Sequence, residues 1–349
     1  MNLLNHNNVW RADHLPDGLS LNDGVISGKP SARGVYEVQV TVSNEIGSST
    51  KNIRINCRYS DDMTILQDGE ILELIRPAEL QASILDGSAQ QKYNCTTTQL
   101  LIPLTHPLTG EVINDVPLNF CTFRNATLQD GSTKAGLILQ FANTLWKGFA
   151  PFGTNSFNRW KYSQLRKWLN SAGDNWFTSD YSADTLTPHE GSYTEDGVKG
   201  FLSCLPNALR EIIVPVKVTT QALFDDYNED SAIDDPDDID GYDADVTYDK
   251  IFIPSLSEMG IFSDDEYISE GFFEGSTWEY YSALTDGTAI CKDINSNTCS
   301  VISRSAYLDG TTKVLYVDSQ LQTSAGNVYN ADSAPAPAFF ICGGDTTNV

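Results

Sequence analysis

Tyr36, Val38, Val40 and Val42 alternate with Glu37, Gln39 and Thr41, and this run limits the fold more tightly than any other stretch of the chain. A period of two puts successive side chains on opposite faces of an extended strand, so one face is buried and the other is wet. Asn44 to Gly47 supplies a turn, and a second alternating run (Lys51, Asn52, Ile53, Arg54, Ile55) follows within Thr50 to Ile55. The two runs make a hairpin with one buried face. Ahead of them, Leu15 to Pro30 places turn formers between short apolar pairs, with Gly28 at a turn closed to residues bearing a Cβ. Residues 1–57 are therefore expected to form a small β domain.

The remainder reads as mixed structure. Met63 to Ala82 holds a short strand and a short helix, Thr96 to Leu104 a strand, and residues 112–123 and 136–142 further strands around a turn at Asp130-Gly131. Tyr162 to Leu169 is the clearest helix: Ser163 can cap it, and Leu165, Trp168 and Leu169 share one face. A second helix is expected over Leu205 to Ile212, with Pro206 in its first turn. Strands follow at Ile213 to Thr220, from Lys250, at Thr312 to Asp318 and at Ala338 to Cys342. Helices set apart from a mainly antiparallel sheet indicate an α+β protein. We expect a β domain over 1–57 and a large domain over 136–349. Between them, residues 58–135 form a connecting β-rich region, with the alternative that this region belongs to the large domain.

Charge narrows the functional classes. The net charge is −25, and the 22 lysines and arginines are too few and too scattered to grip a phosphate backbone. No apolar stretch approaches the length of a membrane helix, and the first eight residues lack the basic and apolar regions of a secretory signal. No nucleic-acid or membrane partner is expected. With Met1 as the start, the chain is expected to be made in the cytoplasm. The acidic excess concentrates between residues 225 and 249, which read as a solvated, self-repelling loop. The 7 cysteines are irregularly spaced and include no C-x-x-C pair, so they read as small buried hydrophobes. A bridge between Cys291 and Cys299 is the alternative at that one hairpin.

Two resemblances add to this reading. The order G-L, G-V-I-S-G-x-P, G-x-Y and V-x-V-x-N between Leu15 and Ile55 resembles the immunoglobulin-like repeat of bacterial surface and phage structural proteins. Further on come Phe152 to Asn155, Tyr162 to Ser171, Gly200 to Pro206, Val214 to Thr220, Tyr248 to Met259, Ser303 to Tyr307 and Pro335 to Ile341. Their series resembles an uncharacterised domain family of gut bacteria and phages with C-type-lectin-like features. The block at Ser303 departs from that family in lacking its leading tryptophan. The first resemblance implies a spacer or docking β-sandwich, the second a display domain on a rigid scaffold.

Catalytic signatures are scarce. The four histidines (His6, His14, His106, His189) show no ligand-like spacing, and no nucleophile elbow, phosphate loop or dinucleotide fingerprint occurs. No catalytic residue and no cofactor are expected. For metal, the candidates are Asp235, Asp237, Asp238, Asp240, Asp243 and Asp245, a calcium site being the alternative to a bare solvated loop, although the spacing is not that of an EF-hand. For a ligand, Trp278, Tyr280 and Tyr281 form an aromatic cluster suited to a sugar face or to the core, and Arg304 and Tyr307 lie in the Ser303 block.

These readings lead to an expected non-enzymatic phage virion surface protein: a head fibre, capsid decoration or tail-associated adhesin. Its N-terminal domain would meet capsid or other virion proteins, and its C-terminal domain a host glycan or surface protein. A homo-oligomer is expected. The chain would be made in the host cytoplasm and leave it as part of a virion, the alternative being an extracellular or cell-surface location. The alternatives are a bacterial cell-surface adhesin, a purely structural shell protein and a carbohydrate-active hydrolase.

Overall fold

The computed structural model describes residues 7–58, 61–146, 150, 152, 159–176, 197–221, 244–261, 274–284, 293–295, 299–306, 313–318, 321–327 and 335–343. The chain divides into two units, Met1–Asp62 and Met63–Val349.

The first unit is an immunoglobulin-like β-sandwich of antiparallel strands: β1 (Val9–Asp13), β2 (Leu19–Asn22), β3 (Val25–Gly28), β4 (Gly34–Asn44) and β5 (Gly47–Cys57). One sheet has the order β1-β4-β5, and β2 and β3 pair separately. The hairpin read from the alternation is β4–β5, in register from Gly34 opposite Cys57 to Asn44 opposite Gly47. Asn44 closes its turn by accepting the amides of Ile46 and Gly47 on its side-chain oxygen. Val38 is fully buried, whereas most of β5 is exposed. At Gly28 φ is +122°, and a Cβ there would stand 2.3 Å from the Gly18 carbonyl oxygen, so the turn requires glycine.

The second unit begins with β6 (Met63–Gln67), β7 (Glu70–Ile75), α1 (Pro77–Leu85), α2 (Ser88–Lys92), β8 (Thr98–Thr105), β9 (Val112–Thr127) and β10 (Thr133–Phe141). It continues with α3 (Gln164–Asn170), α4 (Asn207–Ile212), β11 (Val216–Gln221), β12 (Ala244–Asp249), β13 (Ile251–Phe252) and α5 (Glu279–Ser282). The closing elements are β14 (Val301–Ala306), β15 (Lys313–Val317), β16 (Thr323–Asn327) and β17 (Ala338–Cys342). A seven-stranded antiparallel sheet of order β13-β17-β10-β9-β8-β6-β7 forms its centre. β11–β12 and β14-β15-β16 form two smaller sheets. With few helices beside these sheets, the fold is a β-rich α+β.

β9 and β10 are central because their sequences allow it: Leu118, Phe120, Cys121, Leu137, Ile138, Leu139 and Phe141 supply apolar side chains to both faces. α1 packs over β10 and β17, α3 against β13, and α5 against β9. Ser163 caps α3 by accepting the Arg166 amide on its hydroxyl, as the sequence predicts. The strand expected from Ile213 begins only at Val216, because Pro215 has no N–H to give to a ladder.

The stretch expected as an acidic loop ends in a strand, β12, paired with β11. Its alternation is inverted: Asp245, Thr247 and Asp249 point inward and Val246 outward. Arginines make that arrangement stable. Arg159 holds Asp245 through two bonds of 2.7 and 2.6 Å. Asp249 accepts Arg166 Nε at 2.7 Å, Trp160 Nε1 at 2.8 Å and Thr247 Oγ1 at 2.7 Å. A buried carboxylate so saturated with donors keeps its charge compensated.

Candidate functional site

Ser255-Leu256-Ser257-Glu258 follows β13 and has the S-x-x-E pattern of a capping box. Both reciprocal bonds form: the Ser255 amide donates to Glu258 Oε2 at 3.2 Å, and the Glu258 amide to Ser255 Oγ at 3.2 Å. This single turn presents the Glu258 carboxylate to Arg304 on β14, whose Nη1 reaches Oε2 at 2.5 Å. Both residues are buried, with 1% and 2% of the side chain exposed. Arg304 also donates Nη1 to the Ile253 carbonyl at 2.7 Å and Nη2 to the Glu274 carbonyl at 2.9 Å. The Glu274 carboxylate accepts the Ser305 hydroxyl, and that hydroxyl oxygen accepts the Leu256 amide at 2.9 Å. Arg304 thus joins β14, the Ser255 turn and the segment at Glu274 into one block.

A cleft of 240 Å³ opens beside this block, lined by Arg124, Asn125 and Thr127 of β9, Lys217 and Thr219 of β11, Phe252, Glu258, Glu274, Gly275 and Arg304. The antiparallel bridge between Leu128 and Val216 sets these two strands beside each other. Glu258 Oε1 is turned toward Arg124, whose Nη2 lies 3.7 Å away. Gly275, at φ +149°, keeps the wall thin: a Cβ there would stand 2.9 Å from Glu258 Cγ and Oε1.

The aromatic candidates lie behind the cleft. Trp278 is fully buried and meets Phe252 edge-on at 6.3 Å, while Phe252 itself lines the cleft. Tyr281 is buried, donates its hydroxyl to Gln140 Oε1 at 2.9 Å, and packs against Trp278 at 5.9 Å and Tyr280 at 5.3 Å. Burial raises the Tyr281 phenol well above its ordinary pKa, so it stays protonated. Tyr280 is half-buried at the edge of the core. Arg304 reaches the cleft, and Tyr307 lies outside the described residues.

Of the aspartates proposed for calcium, Asp235, Asp237, Asp238, Asp240 and Asp243 lie outside the described residues. Asp245 is held by Arg159. Among the described residues no group of three or more histidine, cysteine, aspartate or glutamate side chains is arranged to hold a metal ion. Cys57, Cys95, Cys121, Cys204 and Cys342 are buried free thiols, and Cys299 is a half-buried one. Cys291 lies outside the described residues. Burial pushes Cys204 up to about 12, and burial together with the Glu279 charge does the same for Cys95.

Arg124, Lys217, Glu258 and Glu274 were not singled out from the sequence. Glu258 carried a signal in its S-x-x-E spacing. Arg124 carried none, because it lies toward the partly exposed end of β9, where a cation reads as an ordinary solvated residue.

A family model described as "Domain of unknown function (DUF6273)" matches residues 152–343, more than half of the chain. One described as "Putative Ig domain" matches residues 7–57. No curated protein and no solved structure matches the chain.

Proposed function

The chain belongs to the DUF6273 family, and from that membership, with an immunoglobulin-like unit ahead of it, we propose a non-enzymatic surface protein of a phage particle. In this reading the first unit attaches to the capsid or another virion protein as a head fibre, capsid decoration or tail-associated adhesin. The second unit binds a host glycan or surface protein. The pairing of these two modules in one chain carries the reading, since an immunoglobulin-like sandwich usually spaces or docks a partner domain.

The make-up of the second unit supports a binding role. Arg159, Arg166 and Arg304 are spent on internal carboxylates, which locks its strands and turns together. The cleft beside Arg304 stays open on that locked frame, the arrangement a recognition site needs. Lectin-like recognition of sugar is the form of binding that the cleft's polar lining suits best.

Mass spectrometry of gradient-purified particles from the source culture tests the proposal. The expected result is this chain at a fixed copy ratio to the capsid protein, a ratio that also separates head decoration from tail tip. Its absence from particles, with recovery in the cell envelope, overturns the phage reading in favour of a bacterial adhesin.

A further inference from the structure

The cleft wall carries three cations, Arg124, Lys217 and Arg304, against two carboxylates, Glu258 and Glu274. It is net positive in a chain whose net charge is −25. The cations are unequally engaged. Arg304 is committed to Glu258 and to the carbonyls of Ile253 and Glu274. Arg124 meets Glu258 only at 3.7 Å, too long for a charge-assisted hydrogen bond. Its Nε is buried without a hydrogen-bond partner, and among the described residues its guanidinium makes no hydrogen bond at all. That Nε is closed to solvent, so a ligand in the cleft meets this guanidinium through its Nη groups, on a side chain 28% exposed. Lys217 stands exposed on β11 along the same cleft.

We propose that this cleft binds the carboxylate of an acidic sugar, with Arg124 gripping the two oxygens and Lys217 adding the second positive charge. This rests on reading the second unit as a surface-binding domain, and it names the ligand class. The remaining lining decides between anions. Glu258 and Glu274 offer acceptor oxygens and repel a second negative charge, so a phosphate dianion, with twice the charge and at most one hydroxyl to donate, is poorly matched. A sugar acid carries one negative charge and several hydroxyl donors that the glutamates can accept. Asn125 and Thr219 supply both donor and acceptor groups at the rim. At roughly 30 Å³ per water the cleft holds roughly eight waters, room for a single sugar ring.

The test is calorimetric titration of the full chain with sodium glucuronate at low ionic strength, beside glucose and inorganic phosphate. The expected result is saturable glucuronate binding about tenfold or more tighter than either control, weakened about tenfold by Arg124→Gln. Lys217→Gln, at an exposed position that folding does not depend on, weakens it several-fold and decides the matter if Arg124→Gln fails to fold. Glucuronate binding no tighter than glucose or phosphate, or unchanged in Lys217→Gln and in a folded Arg124→Gln, overturns the proposal. The titration needs no particle. A chain found in virions that ignores glucuronate loses this site and keeps the surface role, whereas one that binds glucuronate but is missing from particles keeps the site and loses the virion role.

Discussion

Arg304 and Glu258 illustrate how a single pair can hold three segments together. Removing one member leaves the other's buried charge without its principal counter-charge, which costs about 3–5 kcal/mol for a pair of this kind. Glu258→Gln and Arg304→Met are each expected to lower stability by that order, read as a fall in the urea midpoint at unchanged slope. The thiols make a second test. With Cys95 and Cys204 pushed up to about 12 and buried, neither is expected to react with iodoacetamide at pH 8 until the chain unfolds, as peptide mass spectrometry would show. Because these folded values lie above the ordinary 9.0, the stability they protect is complete below pH 9. It is lost as pH rises toward 12, where the unfolded chain ionises first. A thermal melt series over that range should fall monotonically. At this scale the sequence revealed residue types more readily than neighbours. The aromatic character of Trp278 and Tyr281 was plain, but their packing against Phe252 and Gln140 depends on segments far apart in the chain.

Among the elements, α3 and β12 differ in how openly they are written. The helix announces itself by its serine cap and its apolar face. The strand does not, because its inward positions are aspartate, threonine and aspartate, and only Arg159 and Arg166 from elsewhere make that burial tolerable. Asn170 at the end of α3 ties the two regions together. Its Oδ1 accepts the amides of Lys250 and Ile251 at 2.9 and 3.0 Å, and its Nδ2 donates to the Ile251 carbonyl at 2.8 Å. Asn170→Ala would strand these backbone groups in the interior. A loss of about 2–4 kcal/mol is expected, with amide exchange at Lys250 and Ile251 accelerating more than in β8. The acidic count alone pointed to a solvated loop, and for residues 244–249 the deciding information lay with the arginines, not with the aspartates.

At the scale of the molecule, the mainly antiparallel character was legible, while the sequence pattern ends the first β domain at residue 57 and the two units divide after Asp62. The order of strands was not legible, since no local pattern says that β17 lies between β10 and β13. The second unit has its own core, running from Met63 to Cys342. A fragment of residues 63–349 is therefore expected to fold alone with native-like near-ultraviolet circular dichroism, whereas one stopped before Pro335 is expected to remain unfolded. The position of β17 also bears on how the protein is made. Gln140 on β10 bonds the Ala336 carbonyl, a partner 196 residues later. A ribosome that has already released β6 to β10 must go on synthesising for nearly two hundred residues before the strand that completes their sheet emerges. Through that interval the edge of β10 that β17 will cover stands unpaired, the kind of strand edge with which other unfinished chains can pair.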